Sequence, residues 1–489
     1  MAKKFLFINL SINCGFTGVN HGIAYLVPIL KKYSYEVECL NISQQINAEE
    51  FRNIIDASNP GIIGFSCTEH QLKYLVRYSR ELENYTEILQ ISGGAASTLD
   101  PEWILTKTAV KGVCVGEGEI PLADLLDNLD KGKNITDTRG FYWRINNTVK
   151  KAFNPAFVAD LSTLDFPDYT VFEKDLVSYD GHINIMLSRG CPYSCYHCCN
   201  AALREVYSSP RGYFRLPSVN YSIALLEKMV RLYPETNFIG FEDDLLIADK
   251  NWFREFSDEY RKKINMPYRV CVRVECITQD IVKMLKDSRC KQVSLGVESG
   301  SERVRSEVLN RKYGNRLLLE KSKLLKNAGL DLFTFNIVGF PFEDRKEMKE
   351  TYELNRQIAP SSGTCFFFYP YKGTKLYSMC VHANLLKNKS ERMEITNYCS
   401  RPSISMSVVH EKDCMHYQKK IWRYLEKQEC LFKISQLSHG VKKYPLAVVY
   451  WLRSILRTRP FWERIVRRIS GLLGVKTFIK KFVEIKVEE

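Results

Sequence analysis

Three cysteines within eight residues, Cys191, Cys195 and Cys198, constrain this chain more tightly than any other feature. They lie in Ser188-Arg189-Gly190-Cys191-Pro192-Tyr193-Ser194-Cys195-Tyr196-His197-Cys198, a C-x3-C-x2-C spacing. Thiolate sulfur is a soft ligand that suits iron–sulfur clusters and zinc. Three thiolates on one loop can hold three irons of a [4Fe–4S] cube and leave the fourth iron open to chelate a substrate. The competing structure is a zinc knuckle, with His197 or Cys199 as the fourth ligand. Adjacent residues point in different directions, so Cys199 reads as a small buried residue rather than a ligand of the same cube.

The chain before this loop alternates short apolar stretches with amphipathic ones. Over residues 1–148 strands are expected at 5–10, 36–41, 61–66, 88–92 and 112–115, with helical runs at 23–32, 48–57, 70–84 and 121–129. Such alternation predicts parallel pairing with right-handed crossovers, a Rossmann-like layer. Ligands of these sheets sit beyond the carboxyl ends of the strands. The loops there include Gly93-Gly94-Ala95-Ala96-Ser97 and Gly116-Glu117-Gly118-Glu119, whose glycines let backbone approach a ligand closely. Glu117 and Glu119 are expected to cap the helix that begins near Pro121. His21 and His70 are expected to be hydrogen-bonded loop residues rather than metal ligands. Residues 149–182 break the pattern and read as a linker draped over the surface.

From 183 to 395 the alternation resumes. Strands are expected at 182–187, 237–241, 268–273, 292–297, 332–338 and 365–369, separated by helices that include 218–232, 302–310 and 347–357. Six β/α units make a partial (β/α)6 barrel of the TIM type, with functional residues at the strand ends. Each strand ends in polar punctuation. The cysteine loop follows the first, Glu242-Asp243-Asp244 the second, and Arg273-Val274-Glu275 the third. Gly296-Val297-Glu298-Ser299-Gly300 ends the fourth, Asn336-Ile337-Val338-Gly339-Phe340-Pro341 the fifth, and Tyr369-Pro370-Tyr371-Lys372-Gly373-Thr374 the sixth. Read singly, each has a plainer role: the acids as turns, Glu298 as a structural partner of Arg273, Arg311 as a surface charge.

Taken in this order, the cysteine loop and the strand-end motifs resemble the radical S-adenosylmethionine (SAM) superfamily. The resemblance implies that the open iron of the cube binds SAM and that the reduced cluster cleaves it to a 5′-deoxyadenosyl radical. It places Glu242 and Asp243 near the SAM amino group, Glu298 and Ser299 of G-x-E-S-G at the ribose, and Arg311 on the carboxylate. It puts Arg273 at the same mouth, the Gly339 backbone beside the adenine, and His197 where the family has an aromatic residue. The N-terminal segment is similar to the cobalamin-binding domain of the B12-dependent (class B) members, on Asn20-His21-Gly22-Ile23-Ala24-Tyr25-Leu26, Ser92-Gly93-Gly94 and Val115-Gly116-Glu117-Gly118-Glu119. That likeness implies cobalamin against Gly93, Gly94, Gly116 and Glu117. The D-x-H-x-x-G pattern of cobalt-ligating histidine is missing around His21, and a Rossmann domain that only packs on the barrel is the alternative.

The 489 residues suffice for two or three domains, and 45% hydrophobic content is ordinary for a globular protein. Met1-Ala2-Lys3-Lys4 runs into a strand-like segment with no signal peptide, so the sixteen cysteines are expected as free thiols in a reducing cytoplasm. The net charge of +14 is concentrated at the end. Between Val441 and Val483 eleven Lys/Arg face one acid, Glu463. That pattern speaks against a nucleic-acid-binding body. The region 396–489 is expected to be helical and basic, with helices at 417–427 and 441–456. It would serve as a cap over the barrel mouth or as a peripheral contact with an anionic membrane.

The resemblance implies a B12-dependent radical SAM enzyme that methylates an unactivated carbon of a small molecule, hydrophobic where the basic tail meets lipid, with flavodoxin or ferredoxin as reductant. The rivals are a cyclase or rearrangement enzyme of the same architecture, a methylthiotransferase, and a zinc-stapled scaffold.

Overall fold

The computed structural model describes residues 3–440 apart from 13–17, 147, 153–154, 156, 173–175, 179, 208–210 and 396, with the backbone alone at 434–440. The basic segment 441–483, its expected helix at 441–456 and the membrane contact built on them lie outside the described residues. Residues 1–426 form one compact unit, and Lys427 begins a second.

The N-terminal sheet runs β2-β1-β3-β4-β5-β6-β7. Strands β1 (Lys3–Leu10), β2 (Tyr35–Ile42), β3 (Ile62–Ser66), β4 (Leu89–Gly93) and β5 (Gly112–Cys114) are parallel. The order 2-1-3-4-5 reverses direction between β1 and β3, and such a switch point opens a crevice at the carboxyl ends. An antiparallel hairpin, β6 (Phe141–Ile145) and β7 (Thr148–Lys151), extends the sheet beyond the five expected strands.

The second sheet is wholly parallel and strictly sequential, β13-β12-β11-β10-β9-β8. Its members are β8 (His182–Ile185), β9 (Phe238–Phe241), β10 (Tyr268–Val272), β11 (Cys290–Glu298), β12 (Asp331–Val338) and β13 (Ser362–Phe367). Among the described residues β8 and β13 do not pair with each other, so the barrel is partial. Alternate residues on each strand pack against the crossover helices: Val293, Leu295 and Leu332 share a core with Leu318, Leu325 and Ile358. The helix Arg345–Ile358 opens with a capping box between Asp344 and Glu347.

Two expectations are corrected. Residues 302–310 do not make a regular helix; the turn at Val304–Val308 is of the wide π type. The linker is not draped over the surface. Tyr169, Phe172 and Leu176 are buried in the core that also holds Phe5 and Trp143 of the first sheet and Ile183 and Ile239 of the second. Both sheets therefore share one apolar interior, with the linker between them. Near the end, the helix Val408–Gly440 lays Cys414, Tyr417, Ile421 and Leu425, one stripe of helical spacing, against Val338, Cys365 and Phe367. The part of that helix within the first unit packs on β12 and β13.

Candidate functional site

The cysteine loop leaves β8 under close constraint. Asp243, at the end of β9, accepts from the Leu187 amide at 3.0 Å and the Ser188 hydroxyl at 2.5 Å, and also from the Ser188 amide. Burial holds this carboxyl up at about 6, against those hydrogen bonds. Gly190 has φ +76, and a Cβ there would lie 2.6 Å from the Tyr213 carbonyl, so the turn into Cys191 requires glycine. Arg189 and Arg215 exchange backbone hydrogen bonds at 3.0 and 2.9 Å.

The three thiols are half-buried and feel one another's charge. Burial pushes Cys191 up to about 12 and raises Cys195, although Arg311 and Arg273 pull the latter down. Cys198 is raised by its hydrogen bond with Cys199 and then by burial. Arg273 Nη1 lies 2.7 Å from Cys195 Sγ. Among the described residues no three His, Cys, Asp or Glu side chains converge on a single metal ion. Three free thiols on one loop are a donor set that fits a [4Fe–4S] cube with one iron left open. Cys199 opens the short helix Cys199–Arg204.

Around the loop the barrel mouth is a set of charges already paired. Arg273 stacks on Tyr193, 3.8 Å from the ring centre, and donates to Glu275 at 2.6 Å. Glu298 therefore does not pair with Arg273; it accepts from Arg311 at 2.6 Å. Nor is Arg311 a surface charge, since its side chain is 4% exposed. Glu298 follows a bulge in β11 and sits at φ +62, a conformation costly for a side chain with a Cβ and typical of functional positions. The π-type turn brings Arg311 back to it, anchored by Arg305, which donates to the Ser299 carbonyl at 2.5 Å and to Asn315 at 2.6 Å. His197 is kept neutral by burial, which lowers it to about 4; its Nδ1 is enclosed without a partner, and its ring lies 6.1 Å from Phe340.

Other expected residues are placed differently. The Ser299 hydroxyl is buried beside Thr351, at 3.4 Å, away from the mouth. Glu242 pairs with Arg269, which also reaches Asn184 at 3.1 Å. Gly339, at φ +80, donates its amide to Glu343 at 2.6 Å. The sequence did not single out Glu343, whose carboxyl is raised to about 8 by burial.

A cavity of about 480 Å³ lies at the switch point of the first sheet. Its floor is apolar, with Phe5, Phe7 and Phe141, and its rim carries Ser66, Gly93, Gly94 and Gly116. A Cβ on Gly93 would meet only Cys114, at an ordinary 3.7 Å, so what it would fill is cavity. Asn20 ties the rim together: it caps the helix His21–Lys32 and donates to Asn9 at 3.1 Å and Ser66 at 3.0 Å. His21 is hydrogen-bonded as expected, to Tyr169 of the linker at 2.8 Å, but it does so from the first turn of that helix and not from a loop. His70 is buried against Tyr369 and Tyr398, and among the described residues neither ring nitrogen has a partner, so the hydrogen bond expected of it is not found there. The cavity continues to the barrel, where Met186, Ser188, Gly190, Asn200 and Asp244 line it. Asp244 was passed over in favour of its two neighbours, yet it faces this space.

The expectation for Glu117 and Glu119 is also corrected. The helix Glu119–Asp130 has Gly118 at its N-cap with no side-chain cap. Both carboxylates instead cross to the barrel. Glu117 pairs with Arg215 and, at 3.1 Å, with Arg189, and Glu119 pairs with Arg189. A second set, Glu69 and Asp100 with Lys389 and Lys372, joins the same two regions, with Lys389 2.9 Å from Glu69 and 3.0 Å from Asp100. An apolar slot opening into a glycine-lined polar rim fits a group that is part apolar and part amide-bearing, as cobalamin is.

Comparison with known proteins agrees with this geometry. The model of the radical SAM superfamily matches residues 185–354, and that of the B12 binding domain matches residues 10–126. An uncharacterized methyltransferase of Pyrococcus horikoshii is 24% identical over 393 residues, 78% of this chain and 83% of that one. The cytidylyl-2-hydroxyethylphosphonate methyltransferase of Streptomyces wedmorensis is 18% identical, covering 77% of this chain and 80% of its own. Among solved structures, the radical SAM methyltransferase TsrM of Kitasatospora setae, with cobalamin and a [4Fe–4S] cluster bound, shares the fold at a TM-score of 0.62 and 14% identity over 78% of this chain and 79% of that one.

Proposed function

We propose that this chain, whose residues 185–354 match the radical SAM superfamily and whose residues 10–126 match the B12 binding domain, transfers a methyl group to an unactivated carbon of a small molecule. The observation that carries the reading is the continuity of the cavity: one space touches both the glycine rim of the first sheet and the residues that open the cysteine loop of the second. Two relatives, both methyltransferases by name, point the same way.

When bound, the [4Fe–4S] cluster with SAM supplies a 5′-deoxyadenosyl radical and cobalamin supplies a transferable methyl group. The chain's own residues bind, orient and exclude water. Cys191, Cys195 and Cys198 hold the cluster, and Asp243 fixes the backbone that leads into them. Arg311 suits the SAM carboxylate and Glu298 the ribose hydroxyls, because a buried pair oriented in advance exchanges one partner for another without reordering. Arg273 lies beside Cys195, where a cation offsets cluster charge. His197 offers the adenine an unspent ring nitrogen, and Glu343 holds the Gly339 turn against it. Gly93, Gly94 and Gly116 allow close approach of the corrin, and Tyr193 and Phe340 keep the mouth dry. Flavodoxin or ferredoxin is the expected electron donor.

The test is incubation of anaerobically reconstituted full-length protein with reductant, methyl-deuterated SAM and a small-molecule extract. Release of 5′-deoxyadenosine together with deuterium in a product supports methyl transfer. Release with an unlabelled product replaces it with cyclisation or rearrangement.

A further inference from the structure

Arg189 is the residue at which the two halves of the site meet. Its backbone leads directly into Gly190 and Cys191, and its amide and carbonyl are both bound to Arg215. Its guanidinium belongs to the other half. It lies over the Tyr25 ring at 4.8 Å, on the helix that walls the cavity, and it is gripped by Glu117 and Glu119 from the loop after β5. The ion pairs are shielded: side-chain exposures are 16% for Arg189, 15% for Glu117 and 5% for Glu119. Glu119 lines the cavity, and one of its oxygens is enclosed with no partner among the described residues, so the clamp as it stands is incompletely satisfied. Buried ion pairs have few alternative geometries, because each displacement strands a charge. A shift of the rim loop by a ligand must therefore move the guanidinium, and with it the first residue of the cysteine loop.

We propose that Arg189 is a positioning residue that couples cobalamin binding to the geometry of the cluster loop. Cobalamin and the cluster then bind as linked ligands, each tightening the other, as reciprocity requires of two sites that bias one element. Glu117 and Glu119, which both line the cavity, are the residues at which its occupancy is felt. The inference rests on reading the cavity as a cobalamin site.

The experiment titrates full-length protein anaerobically with hydroxocobalamin, before and after reconstitution with iron and sulfide, following the corrin absorption. In the wild type the dissociation constant is expected to tighten about fivefold or more once the cluster is present. In R189M and E119Q that ratio is expected to collapse toward about one, while iron content and the unfolding temperature report that the chain is still folded. E119Q preserves shape and serves if R189M does not fold. A wild-type ratio near one, or a ratio retained in the folded variants, overturns the coupling while leaving cobalamin binding intact. Absence of hydroxocobalamin binding in the wild type removes the reading of the cavity, and the coupling with it.

Discussion

The two sheets present their carboxyl ends to the same space but prepare it in opposite ways. The first offers backbone and shape: Gly93, Gly94 and Gly116 over an apolar floor. The second offers charges paired before any ligand arrives, Glu298 with Arg311 and Arg273 with Glu275. A surface of the first kind recognises a large ligand by fit and tolerates substitution until volume is lost. The second kind recognises small charged groups and fails when one partner goes.

The largest effect that would break this contrast lies at the cluster. C191S, C195S or C198S should each drop iron from about four per chain to near zero, by iron analysis and visible absorption, whereas C199S should retain it. Retention in the first three would deny the barrel mouth its role. Next, R311M leaves Glu298 buried without its partner, a change that costs about 3–5 kcal/mol. Equilibrium dialysis should show SAM affinity down at least about 100-fold with little change for hydroxocobalamin. G93V should do the reverse on a smaller scale: hydroxocobalamin about tenfold weaker, SAM unchanged. Equal effects of either variant on both ligands would erase the distinction between the two regions.

The smallest effect concerns the seam between them. Burial lowers His70 to about 4 from an ordinary 6.5, so the folded protein binds fewer protons than the unfolded chain between those values. Its contribution is complete above about 6.5 and is lost as the pH falls through about 4. The unfolding temperature should thus decline over that range, and H70F should make the decline shallower, with His21 and His197, also lowered to about 4 by burial, supplying the rest. An identical slope in H70F would show that the ring is not held neutral between Tyr369 and Tyr398.

The same contrast explains what the sequence made legible. The cysteine spacing and the strand-end motifs of the barrel are local, so their positions could be read in one dimension, as could the five parallel strands of the first sheet from their apolar runs. The charge clamps could not. In sequence Glu117 resembles a helix cap because its nearest neighbours are glycines and a helix start, whereas its partners Arg189 and Arg215 are brought to it only by packing of the two sheets. Tyr169 and Phe172 fall in a linker expected on the surface because Pro and Asp surround them, yet the sheets need an apolar filler where they meet. Asp244 carried no mark to set it above Glu242 and Asp243; only the direction of each side chain sorts them, Asp243 inward to the Ser188 hydroxyl and Asp244 to the cavity.

The central claim is that the cobalamin rim and the cluster loop border a single space. Electron paramagnetic resonance of the full-length protein, loaded with cob(II)alamin and with its cluster reduced, measures this directly. The account predicts that the cob(II)alamin signal is broadened or split by the neighbouring cluster spin, and that C195S, which cannot hold the cluster, restores the isolated signal. A cob(II)alamin spectrum unaltered by cluster reduction would place the two groups apart and contradict it.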